Sequence, residues 1–396
     1  LLHSAIDAQA LVDLKILIII AFCLLASPFL AKFLRLPLSA TEIILGALFG
    51  FLGLIGESVN FKLLANAGFY YLMFIAGMEV NLHKLLNFEN KFLKYTFLYV
   101  LLLYVLSVFF VSVFNLSYIF ILIVPIMSVG ILSTLFKDFG KDCAWLRISM
   151  FVATWAEVVS IILLTILGAF VSEQNSLEQV LRNVLYLGLF LAFCFVGFKI
   201  LGVIFWWYPQ LRVILMPWED KNERDVRFCM SIFMLTIAVM IIAHLEIALG
   251  AFIAGAFIGT FLNHKKDMEQ KLSSFGYALL IPIFFVYIGS TLDVRLLLQG
   301  EILLKTLEIT ALMLSVRLLS SLIFYKKLGA INTLLFALSH SMPLTLLIAT
   351  ATLSFKANLI DKSLYSALIL TALFEVLIVM LFIRLLANLN ARKSQI

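Results

Sequence analysis

The chain has 396 residues, of which 63% are hydrophobic and 13% charged, with a mean hydropathy of +1.11 and a formal net charge of +6. Soluble domains average about 45–50% apolar and about 25% charged residues, so a soluble globular protein is excluded and a polytopic membrane protein is indicated. The apolar runs are longer than barrel strands of about 10 alternating residues, which leaves an all-α architecture.

In chain order the apolar runs predict thirteen transmembrane helices, at approximately 14–34, 38–55, 61–82, 94–114, 117–136, 143–171, 180–207, 226–244, 246–262, 273–292, 301–325, 332–354 and 363–386. Leu14–Leu34 is too long for the core of a signal peptide and lacks a small-residue cleavage site. Connections are short, so a single membrane domain is expected, with no soluble domain inserted or appended. Cys23, Cys143, Cys194 and Cys229 are scattered among apolar segments, without metal-ligand spacing or a disulfide pattern.

One set of alternate loops carries twenty of the 29 lysines and arginines, the other carries six, and Lys199, Lys305 and Arg317 lie inside spans. This asymmetry predicts an outside amino terminus and a cytoplasmic carboxyl terminus. The positive charge is therefore topology, not a nucleic-acid surface. Trp206, Trp207 and Tyr208 are expected at the cytoplasmic interface, among the lipid headgroups.

Three short matches repeat in the same order: Glu42–Leu48 with Glu246–Phe252, Phe74–Gly77 with Val286–Gly289, and Thr154–Val158 with Ala372–Val376. The paired spans start on opposite sides, so they predict inverted repeats over about 14–171 and 226–386, with 180–207 as a linker helix. Such repeats are a mark of secondary transporters, whose sites lie near midplane on broken helices.

The corresponding spans five and twelve are the expected broken pair. Span five holds Pro125, Ser128, Gly130, Ser133 and Thr134; span twelve holds Ser339-His340-Ser341-Met342-Pro343-Leu344-Thr345. Proline removes a backbone donor and glycine permits unusual torsions, so both segments can unwind and offer carbonyls and hydroxyls to a small cation. An ordinary proline kink is the competing reading.

Span six carries Glu157 at mid-depth. A carboxylate there is costly and should face water or a cation. Ser149, Thr154, Ser160 and Thr165 fall within about 80° of it at helical spacing, giving one polar stripe with an acid at its centre. Arg317 lies ~12 Å inside span eleven; it needs a partner, with Glu157 and Glu375 the natural candidates, or else snorkels to the interface. Lys305 and Glu308 are expected to pair locally. Glu42 and Glu246 open their helices and suit capping. Glu79 and Asp293 end their spans. Gly46–Gly50 and Gly255–Gly259 read as close helix packing. His340 is a candidate proton relay, with a hydrogen-bonded structural histidine as the competing reading. No phosphate loop, metal cluster or nucleophile elbow occurs, so an enzyme has no support and no cofactor is expected.

On these motifs the chain resembles the sodium/proton exchanger superfamily, specifically the bacterial monovalent cation/proton antiporters of the second family. The resemblance runs through Arg35-Leu-Pro37 with Leu45–Gly50, Phe74–Leu82, Leu249–Gly255 and Pro282–Gly289. It implies a thirteen-helix fold with a crossed pair of unwound helices, a dimerisation half (hence a homodimer) and a mobile core half. It also implies that Glu157 binds sodium, lithium or potassium in competition with protons, with Thr154, Ser160, Ser128, His340 and Ser341 around it. Two positions depart from the family pattern. Ala156-Glu157 replaces the usual Asn-Asp, Asp-Asp or Gln-Asp, and Ser341–Leu344 replaces a Gly-Gly-Glu-Phe-like run. A single titratable carboxylate beside Ala156 points to one proton per cation, hence electroneutral exchange. The alternatives are a potassium efflux system regulated by a separate subunit, and a sensor or assembly homologue that lost transport.

Overall fold

The computed structural model describes residues 2–34, 36–56, 58–79, 90–129, 143–171, 223–243, 247–261, 266–292 and 300–393, with scattered positions between 132 and 210. The regular elements among them are all helical. They are α1 (Leu2–Leu34), α2 (Leu38–Phe51), α3 (Val59–Glu79), α4 (Asn90–Val113), a single turn α5 (Phe120–Ile123), α6 (Ala144–Val171), α7 (Arg224–Ile242), α8 (Ile247–Phe261), α9 (Lys266–Phe275), α10 (Ile281–Thr291), α11 (Gly300–Ser321), α12 (Tyr325–His340), α13 (Leu344–Lys356) and α14 (Lys362–Lys393). A π-turn, Gly276–Leu280, joins α9 to α10, and a 3-10 turn, Leu322–Phe324, joins α11 to α12.

Seven helical stretches among the described residues are long and apolar enough to cross a membrane, and the stretch Gly300–Phe355 runs through α11, α12 and α13. The apolar outer face of α1, with Leu14, Ile18, Phe22, Leu25 and Phe29 exposed, is what lipid contact requires. The expected linker helix 180–207 falls mostly outside the described residues. So do Gly130, Ser133, Thr134, Glu246 and Asp293.

The chain divides into two compact units. The first comprises Leu1–Ala26, Leu54–Leu86 and Thr165–Ile288; the second comprises Ser27–Gly53, Asn87–Leu164 and Gly289–Ile396.

In the first unit α3 lies directly on α8, and small residues make this possible. A Cβ built on Gly77 would fall 2.1 Å from the carbonyl oxygen of Phe252, and one on Gly255 would fall 2.0 Å from that of Phe74. The two helices thus admit each other's backbone reciprocally, as the Gly255–Gly259 spacing suggests. Gly77→Ala is expected to force these backbones apart. Overpacking of this kind costs roughly 1–3 kcal/mol, readable as a clear fall in melting temperature of the detergent-solubilised protein.

The start of α3 is fixed by Ser58, whose Oγ accepts the N–H of Phe61 at 3.1 Å. The same hydroxyl donates to Asp13 Oδ1 at 2.5 Å, and Asn60 Nδ2 donates to Asp13 Oδ2 at 2.7 Å. One carboxylate on α1 therefore pins the entrance of α3. At the end of α9, the Tyr71 ring would meet a Cβ on Gly276, and its hydroxyl donates to the Leu272 carbonyl at 3.0 Å.

Two local expectations are corrected. Glu42 does not open its helix: α2 begins at Leu38 behind Pro37, whose φ of −59° is already helical in range, so Glu42 sits in the second turn. It is 2% exposed, with Ser27 as a hydrogen-bonding neighbour. Lys305 pairs with Glu301 at 3.0 Å and not with Glu308. A glutamate four residues before a lysine is the better helical arrangement.

No apolar pattern announces the π-turn. Its cause lies at Pro282, which follows closely: a proline ring crowds the carbonyl four residues earlier, and widening the preceding turn makes room.

Candidate functional site

The site is built in the second unit, where two helices are interrupted. After α5 the chain turns at Val124–Pro125 and runs without regular structure through Ile126–Ser128 before helical backbone resumes at Val129. Pro125 has no N–H to give to a helical ladder, and the isolated four-residue turn before it cannot continue alone. The second interruption follows His340. Ser341 (φ −91°, ψ 35°) and Pro343 (φ −82°, ψ 41°) leave the helical region, and α13 restarts at Leu344.

Three separate helices hold the first interruption. Arg317 of α11 donates through one terminal nitrogen to the Ile126 carbonyl at 2.6 Å. Ser128 Oγ and Thr345 Oγ1 of α13 share a hydrogen bond of 2.6 Å, which ties the two interruptions together. The N–H of Val129 donates to Glu157 Oε2 of α6 at 3.2 Å. Within four residues the chain thus presents a carbonyl, a hydroxyl and an amide, each taken by a different element.

Glu157 is 1% exposed and accepts an N–H released by unwinding. Thr154 and Ser160 flank it one turn to either side. Thr154 Oγ1 donates to its own helix at the Met150 carbonyl, 2.7 Å, while Ser160 Oγ approaches Tyr104 Oη without hydrogen-bond geometry. Both residues are buried. The side chain of Thr165 lies outside the described residues.

The charge partner of Arg317 is Glu375 on α14, with Nη1 to Oε1 at 3.6 Å and both side chains fully buried. Full burial also removes the snorkelling alternative for Arg317.

His340 stands at the end of α12 and bridges two other helices. Its Nε2 lies 3.0 Å from the Ser149 carbonyl, which can only accept, so Nε2 carries the proton; its Nδ1 then accepts from Tyr99 Oη at 2.9 Å. Ser339 Oγ adds a bond to Ser149 Oγ at 3.0 Å, and Ser341 Oγ donates to the Ala337 carbonyl at 3.0 Å. Both nitrogens of His340 are thereby engaged.

Of the residues singled out in the sequence, the structure brings Glu157, Ser128 and Arg317 onto the first interruption. Pro125 precedes that interruption, and Pro343 ends the second. It places Thr154 and Ser160 along the helix carrying Glu157, His340 and Ser341 at the second interruption, and Glu375 behind Arg317. Sequence reasoning missed Tyr99, one of several buried hydroxyls in its span, and the Ile126 carbonyl and Val129 N–H. Backbone groups leave no residue-type signature.

Known proteins resemble this chain in sequence and in fold. The sequence profile of the family described as "Sodium/hydrogen exchanger, transmembrane" matches residues 17–388. YjbQ of Bacillus subtilis strain 168, named as a putative Na+/H+ antiporter, is 26% identical over 387 residues, covering 91% of this chain and 60% of its own length. GerN of Bacillus cereus, named as a Na+/H+-K+ antiporter, is 26% identical over 261 residues, 63% of each chain. Among solved structures, the sodium proton antiporter MjNhaP1 from Methanocaldococcus jannaschii at pH 8 aligns with a TM-score of 0.67 at 17% identity, covering 98% of both chains. The chain spans about 60% of the length of YjbQ. It is an all-helical, multi-pass membrane protein with the fold of MjNhaP1, and it belongs to the sodium/hydrogen exchanger family of transporters.

Proposed function

We propose that the protein exchanges a monovalent cation (sodium, with lithium or potassium as further candidates) for protons across a bacterial inner membrane. Glu157 is the shared site. The observation that carries this reading is the buried carboxylate set at the interruption Ile126–Val129, where chain-breaking residues expose backbone and hydroxyl groups. Oxygen ligands and a single anionic charge suit a small monovalent cation, and the same oxygens can hold a proton instead. Burial disfavours the bare carboxylate, so one or the other ligand is held at each stage of the cycle. The YjbQ and GerN names support sodium, and the GerN name also supports potassium.

Alternating access follows from competition at one site: a cation displaces the proton on one side and is displaced by it on the other. Ser128, Thr154 and Ser160 offer further hydroxyl oxygens within three residues of the Glu157–Val129 contact along the two elements, while His340 joins α12 to α6 and Tyr99 joins α4 to α12. With Ala156 beside Glu157, one proton moves per cation and the exchange is electroneutral. Thirteen helices in two inverted repeats, a homodimer, an outside amino terminus and a cytoplasmic carboxyl terminus complete the proposal. Support for the repeats comes from Gly289, which meets the Ile43 carbonyl as Gly77 meets that of Phe252.

The reading is tested in inverted membrane vesicles holding a respiratory pH gradient. Sodium, lithium and potassium are added separately and collapse of the gradient is followed by a fluorescent amine. Collapse by at least one cation, with no current in proteoliposomes on a solid support, is the expected result. Failure of all three cations would overturn the exchange reading, and currents scaling with transport would overturn the one-to-one ratio.

A further inference from the structure

We propose that Glu375 is a second proton-binding carboxylate, reached through a seam of hydroxyls between α11 and α14 and separate from Glu157; this rests on the exchange reading and deepens it by adding a regulatory proton. The pair Arg317–Glu375 is unusual in its geometry. Both side chains are fully buried, yet Nη1 and Oε1 are 3.6 Å apart, and neither oxygen of Glu375 has a hydrogen-bond partner among the described residues. Nε and Nη1 of Arg317 likewise have none. A buried ion pair is held well only when its remaining lone pairs and protons are satisfied. Carboxylate oxygens without donors, facing donors without acceptors, are where a proton and water are accommodated.

A route to this point runs along one helix face. Thr306, Thr310 and Arg317 share a stripe of α11, and Ala367, Thr371 and Glu375, four residues apart, share one of α14. Thr306 Oγ1 lies 3.5 Å from the Ala367 carbonyl, and Thr371 Oγ1 lies 3.5 Å from the Thr306 carbonyl. Thr310 Oγ1, one turn closer to Arg317, is buried without a hydrogen-bond partner among the described residues. At the far end stand Lys305, Glu301 and Ser363, with Lys305 Nζ 3.5 Å from Ser363 Oγ and partly open to solvent. From Thr306 to Arg317 the seam covers ~16 Å of helix, and in the proposed orientation it opens outside.

The charged and titratable groups around Glu375 are few. Arg317 faces it from α11. His340 of α12 and Tyr99 of α4 lie within the field of Arg317. α13 carries no ionisable residue before Lys356 at its end. Proton uptake turns the Glu375 carboxylate into a carboxylic acid and leaves the single positive charge of Arg317 uncompensated. That charge is anchored on the Ile126 carbonyl, so its field then acts against a cation at the first interruption. Acid conditions therefore slow exchange through Glu375, without adding a proton to the exchanged pair.

Infrared difference spectroscopy of the purified protein in lipid bilayers, with pH steps, tests this. Wild type is expected to show protonated-carboxyl bands that respond to pH, with the contribution of the buried Glu42 identified by Glu42→Gln; of the two that remain, Glu375→Gln removes one and Glu157→Gln removes the other. Thr310→Val is expected to slow the response of the Glu375 band about tenfold and leave the Glu157 band unchanged. In vesicles, Glu375→Gln is expected to flatten the acid limb of the exchange profile. A Glu375→Gln spectrum with both bands intact would overturn the proposal. If that variant does not fold, Glu375→Asp is measured instead: a displaced band supports the proposal, and a spectrum identical to wild type overturns it. Loss of exchange in Glu157→Gln with the Glu375 band retained separates this result from the fate of the exchange site.

Discussion

Glu157→Gln is expected to abolish cation-driven collapse of the pH gradient in inverted vesicles while leaving the protein folded. The side chain of glutamine is nearly the same size, and its carbonyl oxygen can still accept the Val129 N–H that Glu157 accepts at 3.2 Å. What it lacks is the charge. Two unit charges ~4 Å apart at an effective dielectric of about 20 attract by about 4 kcal/mol. Losing that attraction lowers cation occupancy by roughly three orders of magnitude. Glutamine also cannot bind and release a proton, so the loss is not rescued by high cation concentration. Glu157→Asp keeps charge and titration but withdraws the oxygens by one methylene, and it should retain measurable exchange with a raised apparent KM. Gradient collapse by Glu157→Gln at the wild-type rate would remove this residue from the mechanism.

Arg317→Met is expected to destabilise the protein far more than it disturbs surface charge. The guanidinium is fully buried, bonded to the Ile126 carbonyl at 2.6 Å and paired with Glu375. Removing one partner of a buried pair costs about 3–5 kcal/mol because the other is left in an apolar setting. Glu375 can shed that burden by taking up a proton, so the lower end of the range is expected. The double variant Arg317→Met with Glu375→Leu should recover most of the melting temperature, since apolar replacement of a buried pair is often neutral or stabilising. Exchange should stay impaired in the double variant, because the Ile126 carbonyl has lost its anchor. Recovery of exchange along with stability would show that Arg317 serves only to balance Glu375.

Much of this is legible in the residue order. Apolar runs mark the helices, and an acid and an arginine inside them mark the polar interior, because membrane depth makes such residues expensive anywhere else. Pro125 and Pro343 announce interruptions through their missing N–H groups. The partner of Arg317 is not legible. Glu157 and Glu375 are both buried acids on long helices, and only three-dimensional packing distinguishes them. The helix start at Leu38 is legible from the apolar run, but the place of Glu42 is not: it lies in the second turn and is buried, where an acid near a boundary would suggest a cap. The Val129 amide and the Ile126 carbonyl carry no identity of their own, so no pattern of side chains could name them.

The widened turn at Gly276–Leu280 has a bearing on how this chain can vary. It takes one residue more than a regular turn and absorbs it by widening, so the faces on either side keep their phase. Deleting one residue there would let the ladder close regularly and leave Gly289 at the Ile43 carbonyl it now admits. A second deletion would find no slack; it would turn the face beyond by about 100° and drive a bulkier neighbour into that backbone. The segment holds a reserve of a single residue.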